Sequence, residues 1–186
     1  MRGGVLCGLV LVLVTGCAPT SDDGRDPGTP DTGFPPAQAW ALGDDEVTEA
    51  EYLDAIGKFI SCVRDAGYST SDLVLSPIDG LTMLYDIPPS GDPDAWNKKV
   101  EECNLTHVSH IEPAYVETHD QVMEPALRTA TAECLRGKGF NPGGNERNVK
   151  EFVEATDKTG NATTDCVTTT MRDVFPHVPG FLKIRW

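Results

Sequence analysis

The residues best suited to chemistry in this chain are histidines and carboxylates clustered between positions 107 and 120. The cluster comprises His107, His110, Glu112, Glu117, His119 and Asp120. His107 and His110 are three residues apart and would share one face of a helix. A break at Pro113 could bring His119 back towards them. Neutral imidazoles with a carboxylate suit zinc or copper. The cluster is therefore a candidate metal site, although solvated polar residues in a helix–turn–helix connection would give the same pattern.

Other catalytic signatures are missing from the sequence. It contains no Gly-rich phosphate loop, no Gly-x-Ser-x-Gly elbow, no His-Glu-x-x-His motif and no EF-hand loop. Carboxylates are numerous, but no pair stands out by its spacing. Trp40, Trp96 and Trp186 could stack on a sugar, but an isolated tryptophan more often packs within the protein. The sequence therefore favours a binding domain without a cofactor over an enzyme.

The first sixteen residues predict a secretory signal peptide. Arg2 precedes an apolar run over residues 5–14, which is too short to span a hydrocarbon core about 30 Å thick. The following Val14-Thr15-Gly16-Cys17 resembles the bacterial lipobox, whose cysteine is acylated and becomes the new N-terminus. The resemblance implies lipidation of Cys17 and a protein anchored in the cell membrane on its extracytoplasmic side. An ordinary signal peptide with an incidental cysteine is the alternative.

Residues 17–44 are predicted to form a disordered acidic linker. The stretch over residues 18–38 holds five prolines and four aspartates and has almost nothing to bury. A flexible chain of about 25 residues spans on the order of 25–30 Å. The remaining residues, 45–186, are then predicted to form a domain held clear of the lipid headgroups.

The charge of the chain limits its partners. It carries 29 acidic against 15 basic residues, a formal net charge of −14 at pH 7. Nucleic-acid binding requires clustered lysine and arginine, so no nucleic-acid partner is predicted. Anionic lipid would also repel this charge, so the acyl group must supply the anchoring.

Four cysteines lie beyond the lipobox, at Cys62, Cys103, Cys134 and Cys166. An even number in an exported chain indicates disulfides, and three pairings are possible. No two of these cysteines have the two-to-four-residue spacing of a zinc site.

A short repeat selects one of these pairings. The motif Cys-aliphatic-Arg-x-x-Gly-aromatic starts at Cys62 and again at Cys134, and one further cysteine follows each copy. In both copies the glycine stands where a helix would end in a left-handed residue. A duplicated unit in which each half closes its own bridge predicts Cys62–Cys103 and Cys134–Cys166.

The same motif carries a family resemblance. A helix that ends in this motif, then a turn-rich stretch, then an Ala/Trp-containing helix with a cysteine, resembles small secreted proteins and lipoproteins of actinobacteria. The residues that carry it are Phe59, Cys62, Gly67, Tyr68, Ala95, Trp96 and Cys103. Those proteins are largely without assigned function, so the resemblance implies an extracytoplasmic address and disulfides, and no activity.

Local signals predict most of the helices. A capping box at Thr48-x-x-Glu51 opens a helix over about 49–66. A second helix starts at Asp92-Pro93, a third ends at Gly139 after a break near 112, and a fourth covers about 146–156. The Thr-rich stretch around Cys166 is predicted to be only weakly helical, because β-branched residues lower helix propensity.

Alternating apolar residues predict a small sheet. Residues 73–75 and 81–87 flank the turn signal 77–80 and predict a hairpin, to which the alternating residues 180–186 could add a strand. The predicted fold class is therefore mainly α, a disulfide-stapled helical domain in which the repeat allows two related helical halves, with a small β-hairpin.

These signals together predict a lipid-anchored cell-envelope lipoprotein with a non-enzymatic binding domain. The predicted partners are the membrane, through the lipid on Cys17, and an envelope protein or a cell-wall component. The alternatives are an extracytoplasmic enzyme of unrecognised type, or a metal-binding lipoprotein that uses His107, His110 and His119.

Overall fold

Six α-helices and one β-hairpin form most of residues 34–44, 46–179 and 182–185, which are the residues described by this computed structural model. In chain order the elements are a 3₁₀ helix (Pro36–Gln38), α1 (Glu49–Asp65), β1 (Val74–Leu75), β2 (Met83–Leu84), α2 (Pro93–His107), α3 (Ile111–Thr118), α4 (Pro125–Gly137), α5 (Val149–Glu154) and α6 (Asn161–Val174). The predicted fold class is confirmed. The predicted signal peptide and the lipidation site at Cys17 lie outside the described residues.

Both copies of the repeated motif end a helix in the same way. Gly67 follows the end of α1 and Gly139 follows the end of α4, and each has a φ of 89°. The N–H of the next aromatic residue donates to the backbone C=O five residues earlier, at 3.2 Å for Tyr68 and 3.0 Å for Phe140. This hydrogen bond belongs to the Schellman motif, in which glycine takes the left-handed conformation without strain. The sequence repeat is therefore a structural repeat.

The two disulfides have the predicted pairing. Cys62–Cys103 joins α1 to α2, and Cys134–Cys166 joins α4 to α6, with Cα–Cα distances of 5.8 and 5.7 Å. The bridges close loops of 41 and 32 residues, each within one half of the chain. On the chain-entropy model each bridge stabilises the fold by about 3–4 kcal/mol.

The buried apolar side chains form two clusters, one in each half. The first cluster packs α1 against α2, α3 and the hairpin, with Tyr52 and Phe59 among its largest buried side chains. The second packs α4, α5 and α6 around Phe152 and Leu135. Each half is thus a bridged pair of helices with its own apolar interior.

The hairpin turn joins the two clusters. Ile78, at the tip of the turn, is buried in the second cluster although it belongs to the first half. The backbone N–H of Val122 donates to the C=O of Asp79 at 2.9 Å. Gly80 has a φ of 68°, and a Cβ there would lie 3.0 Å from the C=O of Val122. Glycine is therefore required both by the backbone conformation and by the close approach of the neighbouring chain.

Helix α3 was not predicted, because the sequence predicts a break near residue 112. Pro113 is instead the third residue of α3. The first turn of a helix tolerates proline, because its N–H groups have no partner within the helix. His110, the residue before the helix, provides no side-chain cap. The start of α3 must therefore be stabilised from elsewhere in the chain.

The side chain of Gln38 provides that cap. Its Oε1 accepts from the backbone N–H groups of His110 at 2.9 Å and Ile111 at 3.2 Å. Its Nε2 donates to the C=O of Leu105 at 2.7 Å and to Oγ of Ser109 at 2.9 Å. Gln38 is fully buried as a result. Residues 34–44, which the sequence assigns to the linker, are thus joined to the α2–α3 connection through Gln38.

The Thr-rich stretch around Cys166 also differs from the prediction, since it forms the 14-residue helix α6. One face of α6 is buried, including Thr163, Val167 and Met171. The hydroxyl of Thr170 donates to the C=O of Cys166 at 2.7 Å, so this polar group has a partner within the helix. Burial of this face outweighs the low intrinsic propensity of β-branched residues.

Replacing Gln38 by leucine should destabilise the domain. Gln38→Leu leaves buried backbone groups at the α2–α3 connection without partners, so we expect the free energy of unfolding to fall by about 3 kcal/mol. Urea unfolding measures this change. The control is Ala37→Leu at the exposed neighbouring position, which should change stability by less than about 0.5 kcal/mol. Equal effects of the two variants would show that Gln38 does not cap α3.

Candidate functional site

An open groove of about 710 Å³ lies between α1 and α2. The lining residues that carry its chemistry are Asp54, Gly57, Lys58, Ser61, Asp65, Lys99 and His107. We call this surface the α1–α2 groove. The residues from α1 recur at three- and four-residue steps, which places them on one face of the helix, away from the buried face. Cys62 also lines the groove, so the first disulfide fixes the spacing of its two walls.

Each lysine of the groove is paired with a carboxylate. The Nζ of Lys58 lies 2.6 Å from Oδ2 of Asp54 and 3.7 Å from the centroid of the Trp40 ring. The Nζ of Lys99 lies 3.2 Å from a carboxylate oxygen of Glu102. An exposed ion pair adds little stability, but the cation–π contact holds Lys58 and the indole together. The indole itself remains 43% exposed at the edge of the groove.

His107 is held in its neutral form. Partial burial, together with the positive charge of Lys58, lowers the pKa of the His107 imidazole below its ordinary value. Both effects disfavour the charged ring. At pH 7 the neutral imidazole therefore offers the groove one hydrogen-bond donor and one acceptor.

Gly57 lies in the middle of α1 and has no evident packing role. It is exposed, and a Cβ built on it would meet no atom within 4 Å. Glycine in a helix interior costs about 1 kcal/mol relative to alanine. Neither a turn nor a close approach of another chain segment accounts for this cost. Because Gly57 has no side chain, the helix backbone is uncovered where it lines the groove.

The buried carboxylate of Glu112 links several segments of the domain. Glu112 on α3 is only 4% exposed, and its Oε1 accepts from Nζ of Lys183 at 2.5 Å and from Nη2 of Arg185 at 3.2 Å. Its Oε2 accepts from the hydroxyl of Tyr52 at 3.2 Å. That hydroxyl in turn accepts from the backbone N–H of Met83 at 2.8 Å. The cluster thus links α1, β2, α3 and the chain segment 182–185.

The phenols around Glu112 stay protonated. Burial and the nearby charge of Glu112 raise the pKa of both Tyr52 and Tyr85 far above the ordinary phenol value. Tyr52 also stacks on Tyr115, with ring centroids 4.7 Å apart. Glu112 thus holds Tyr52, Lys183 and Arg185, which come from separate segments of the chain.

The segment 182–185 contacts both halves in alternation. Leu182 and Ile184 pack against the second apolar cluster, whereas Lys183 and Arg185 bind Glu112 in the first half. The alternating pattern suggested an additional strand, but residues 182–185 pair with no strand. Because side chains alternate along the segment, two of them face the second apolar cluster and the other two face Glu112.

The three candidate metal-binding histidines do not form one site. His107 lines the α1–α2 groove, whereas the ring of His110 lies 6.5 Å from that of Phe34. His119 packs on Tyr115, with Nδ1 2.7 Å from the C=O of that residue. Within the part of the chain that the structure describes, no three histidine, cysteine or acidic side chains are grouped to hold a metal ion.

A second groove of about 430 Å³ lies beside β1 and is apolar. Its lining includes Leu75, Val122, Phe175 and Val178. Leu75 and Val122 are 50% and 45% exposed. Nothing in the sequence indicates this groove, because its lining comes from the hairpin, the connection before α4 and the end of α6.

The sequence did not identify the α1–α2 groove either. Lys58 and Lys99 look like ordinary exposed lysines, and they come from different helices. The one available signal is Gly57, which interrupts an otherwise regular amphipathic helix.

Comparison of the chain with protein-family models, with curated proteins and with solved structures gave no match. No helix among the described residues is both long enough and apolar enough to cross a membrane. The fold and the groove define the class of molecule: a helical domain with two disulfide-bridged helix pairs and an open groove between the helices of the first pair.

Replacing Glu112 by glutamine should destabilise the domain. Glu112→Gln leaves the ammonium of Lys183 and the guanidinium of Arg185 without their shared counter-charge, so we expect a loss of about 3 kcal/mol in the free energy of unfolding. Hydrogen exchange should also show faster exchange in segment 182–185. Glu117→Gln, at an exposed position on the same helix, is the control and should leave both measurements unchanged. If Glu112→Gln behaves like the control, the cluster does not hold the halves together.

Replacing Gly57 by alanine should stabilise the domain. Gly57→Ala lowers the backbone entropy of the unfolded chain and meets no atom in the folded one, so we expect a gain of about 0.5–1 kcal/mol. Urea unfolding of Gly137→Ala, a similarly open glycine in the last turn of α4, provides the comparison and should show a smaller gain. A loss of stability in Gly57→Ala would mean that the fold itself requires glycine.

Proposed function

We propose that this protein is a lipid-anchored lipoprotein of the bacterial cell envelope, and that its helical domain binds a ligand or partner outside the membrane without catalysing a reaction. The observation that carries the anchoring is Val14-Thr15-Gly16-Cys17 directly after a short apolar run. Lipidation at Cys17 attaches the chain through two or three acyl chains, which is enough for stable anchoring.

The disulfides support an extracytoplasmic location. Bridges such as Cys62–Cys103 and Cys134–Cys166 persist in oxidising compartments and are rare in the bacterial cytosol. The described domain includes residue 34, which stands 17 residues after Cys17.

The character of the α1–α2 groove supports binding. Its lysines are paired with carboxylates near the surface, and its imidazole is neutral. Catalytic sites usually combine a cleft with strongly perturbed, specifically partnered titratable groups. The groove instead presents hydrogen-bonding groups on two helices that a disulfide holds at a fixed spacing. A rigid surface of this kind is suited to recognition of a ligand.

Replacing Cys17 by alanine should abolish lipidation. Cys17→Ala removes the thiol that would take the diacylglyceryl group, so we expect loss of the acyl mass and of partitioning into the detergent phase. Mass spectrometry and detergent phase separation measure these changes. Cys7→Ala is the matched control: bulky Leu6 precedes Cys7, so this variant should remain lipidated. A Cys17→Ala protein that still carries the mass of a diacylated chain would refute the anchoring.

A further inference from the structure

The hydrogen-bonding groups of the α1–α2 groove are balanced between donors and acceptors. Asp54 and Asp65 supply two carboxylates, Lys58 and Lys99 supply two ammonium groups, and the neutral His107 supplies a donor and an acceptor. The formal charges of these four lining groups cancel, and Glu102, which pairs with Lys99, lies beside them. Such a surface has no excess of positive charge that would select an anion. It is complementary to a neutral ligand whose groups both donate and accept, and a hydroxyl group does both.

The structural repeat shows that these residues are not needed by the fold. Lys58 and Lys99 each stand four residues before a bridged cysteine, Cys62 or Cys103. The residues four before the corresponding cysteines of the second half are Ala130 and Ala162. Likewise, the residue four after Cys103 is His107, and the residue four after Cys166 is Thr170. The same bridged pair of helices therefore forms without lysine or histidine at these positions.

The shape of the groove fits a chain of rings better than a compact metabolite. It is open to solvent, and uncovered helix backbone at Gly57 lines it. Its volume of about 710 Å³ exceeds what a single small ring requires. The partly exposed indole of Trp40 stands at its edge, held there by Lys58. An aromatic ring beside hydrogen-bonding groups matches a sugar, which has an apolar C–H face and polar hydroxyl edges.

We propose that the α1–α2 groove is a saccharide-binding site for a neutral glycan chain. Lys58, Lys99 and His107 hydrogen-bond the hydroxyl or acetamido groups, and Trp40 packs against a ring face. Gly57 keeps the groove open for the chain to pass. This assignment rests on the proposed function, because it identifies the ligand class of the tethered binding domain.

The test uses the full-length lipidated protein in a polyoxyethylene detergent, since alkyl glycoside detergents would compete for the groove. The probes are tri-N-acetylchitotriose and cellotriose, and saturation-transfer difference NMR detects binding. We expect transfer to at least one probe, and weaker binding by at least tenfold in Gly57→Leu, whose side chain enters the groove. Gly57→Leu meets no neighbour at Cβ, so its thermal midpoint should not fall.

Two further variants separate the groove from general effects. Lys58→Ala/Lys99→Ala, which places the second half's residues on the first, should also weaken binding at least tenfold. Gly137→Leu adds the same side chain to α4 outside the groove and should bind like the wild type. The proposal is overturned if neither probe shows transfer, if Gly57→Leu binds as tightly as Gly137→Leu, or if inorganic phosphate displaces the saccharide.

The two proposals can fail separately. If Cys17 is lipidated and no saccharide binds, the ligand class is wrong and the tethered binding domain stands. If the saccharide binds but Cys17 carries no lipid, the anchoring is wrong and the groove assignment stands.

Discussion

The buried carboxylate of Glu112 ties the two halves together, alongside the hairpin turn that packs into the second cluster. It is buried in the first half, yet two of its three hydrogen-bond donors, Lys183 and Arg185, come from the end of the second. Breaking such a buried contact is costly, because the remaining charges keep their burial but lose their partner. Tyr52, the third donor, extends the contact to the hairpin. A single side chain thus orients α1, α3, the hairpin and segment 182–185.

How much could be predicted from the sequence depended on how local each signal was. Helix α1 begins at its capping box and ends at Gly67 through a Schellman motif, and both signals lie within a few residues. The disulfide pairing followed from a repeated motif of seven residues. Helix α3 could not be predicted, because its cap is Gln38, 72 residues before His110. The sequence near residue 112 gives no indication that Gln38 contacts it.

The same limit applies to the candidate site. The α1–α2 groove brings together Lys58 and Lys99, which are far apart in the sequence and individually unremarkable as surface residues. The three histidines show the reverse: they are close in sequence, but their side chains lie in different surroundings. Histidines that are close in sequence can share a metal ion if they lie on a single helix or tight turn. Here α2 and α3 are separate helices.

The position of Gln38 has a mechanical consequence. It is the first buried side chain of the described domain, and it clasps the connection between α2 and α3. If Cys17 anchors the chain as proposed and a partner pulls on the domain, tension enters the described fold at this clasp. Neither disulfide lies between the tether and the clasp, so four hydrogen bonds of one amide would carry the load first. Under such tension the segment 34–44 would detach before either disulfide-closed loop is loaded.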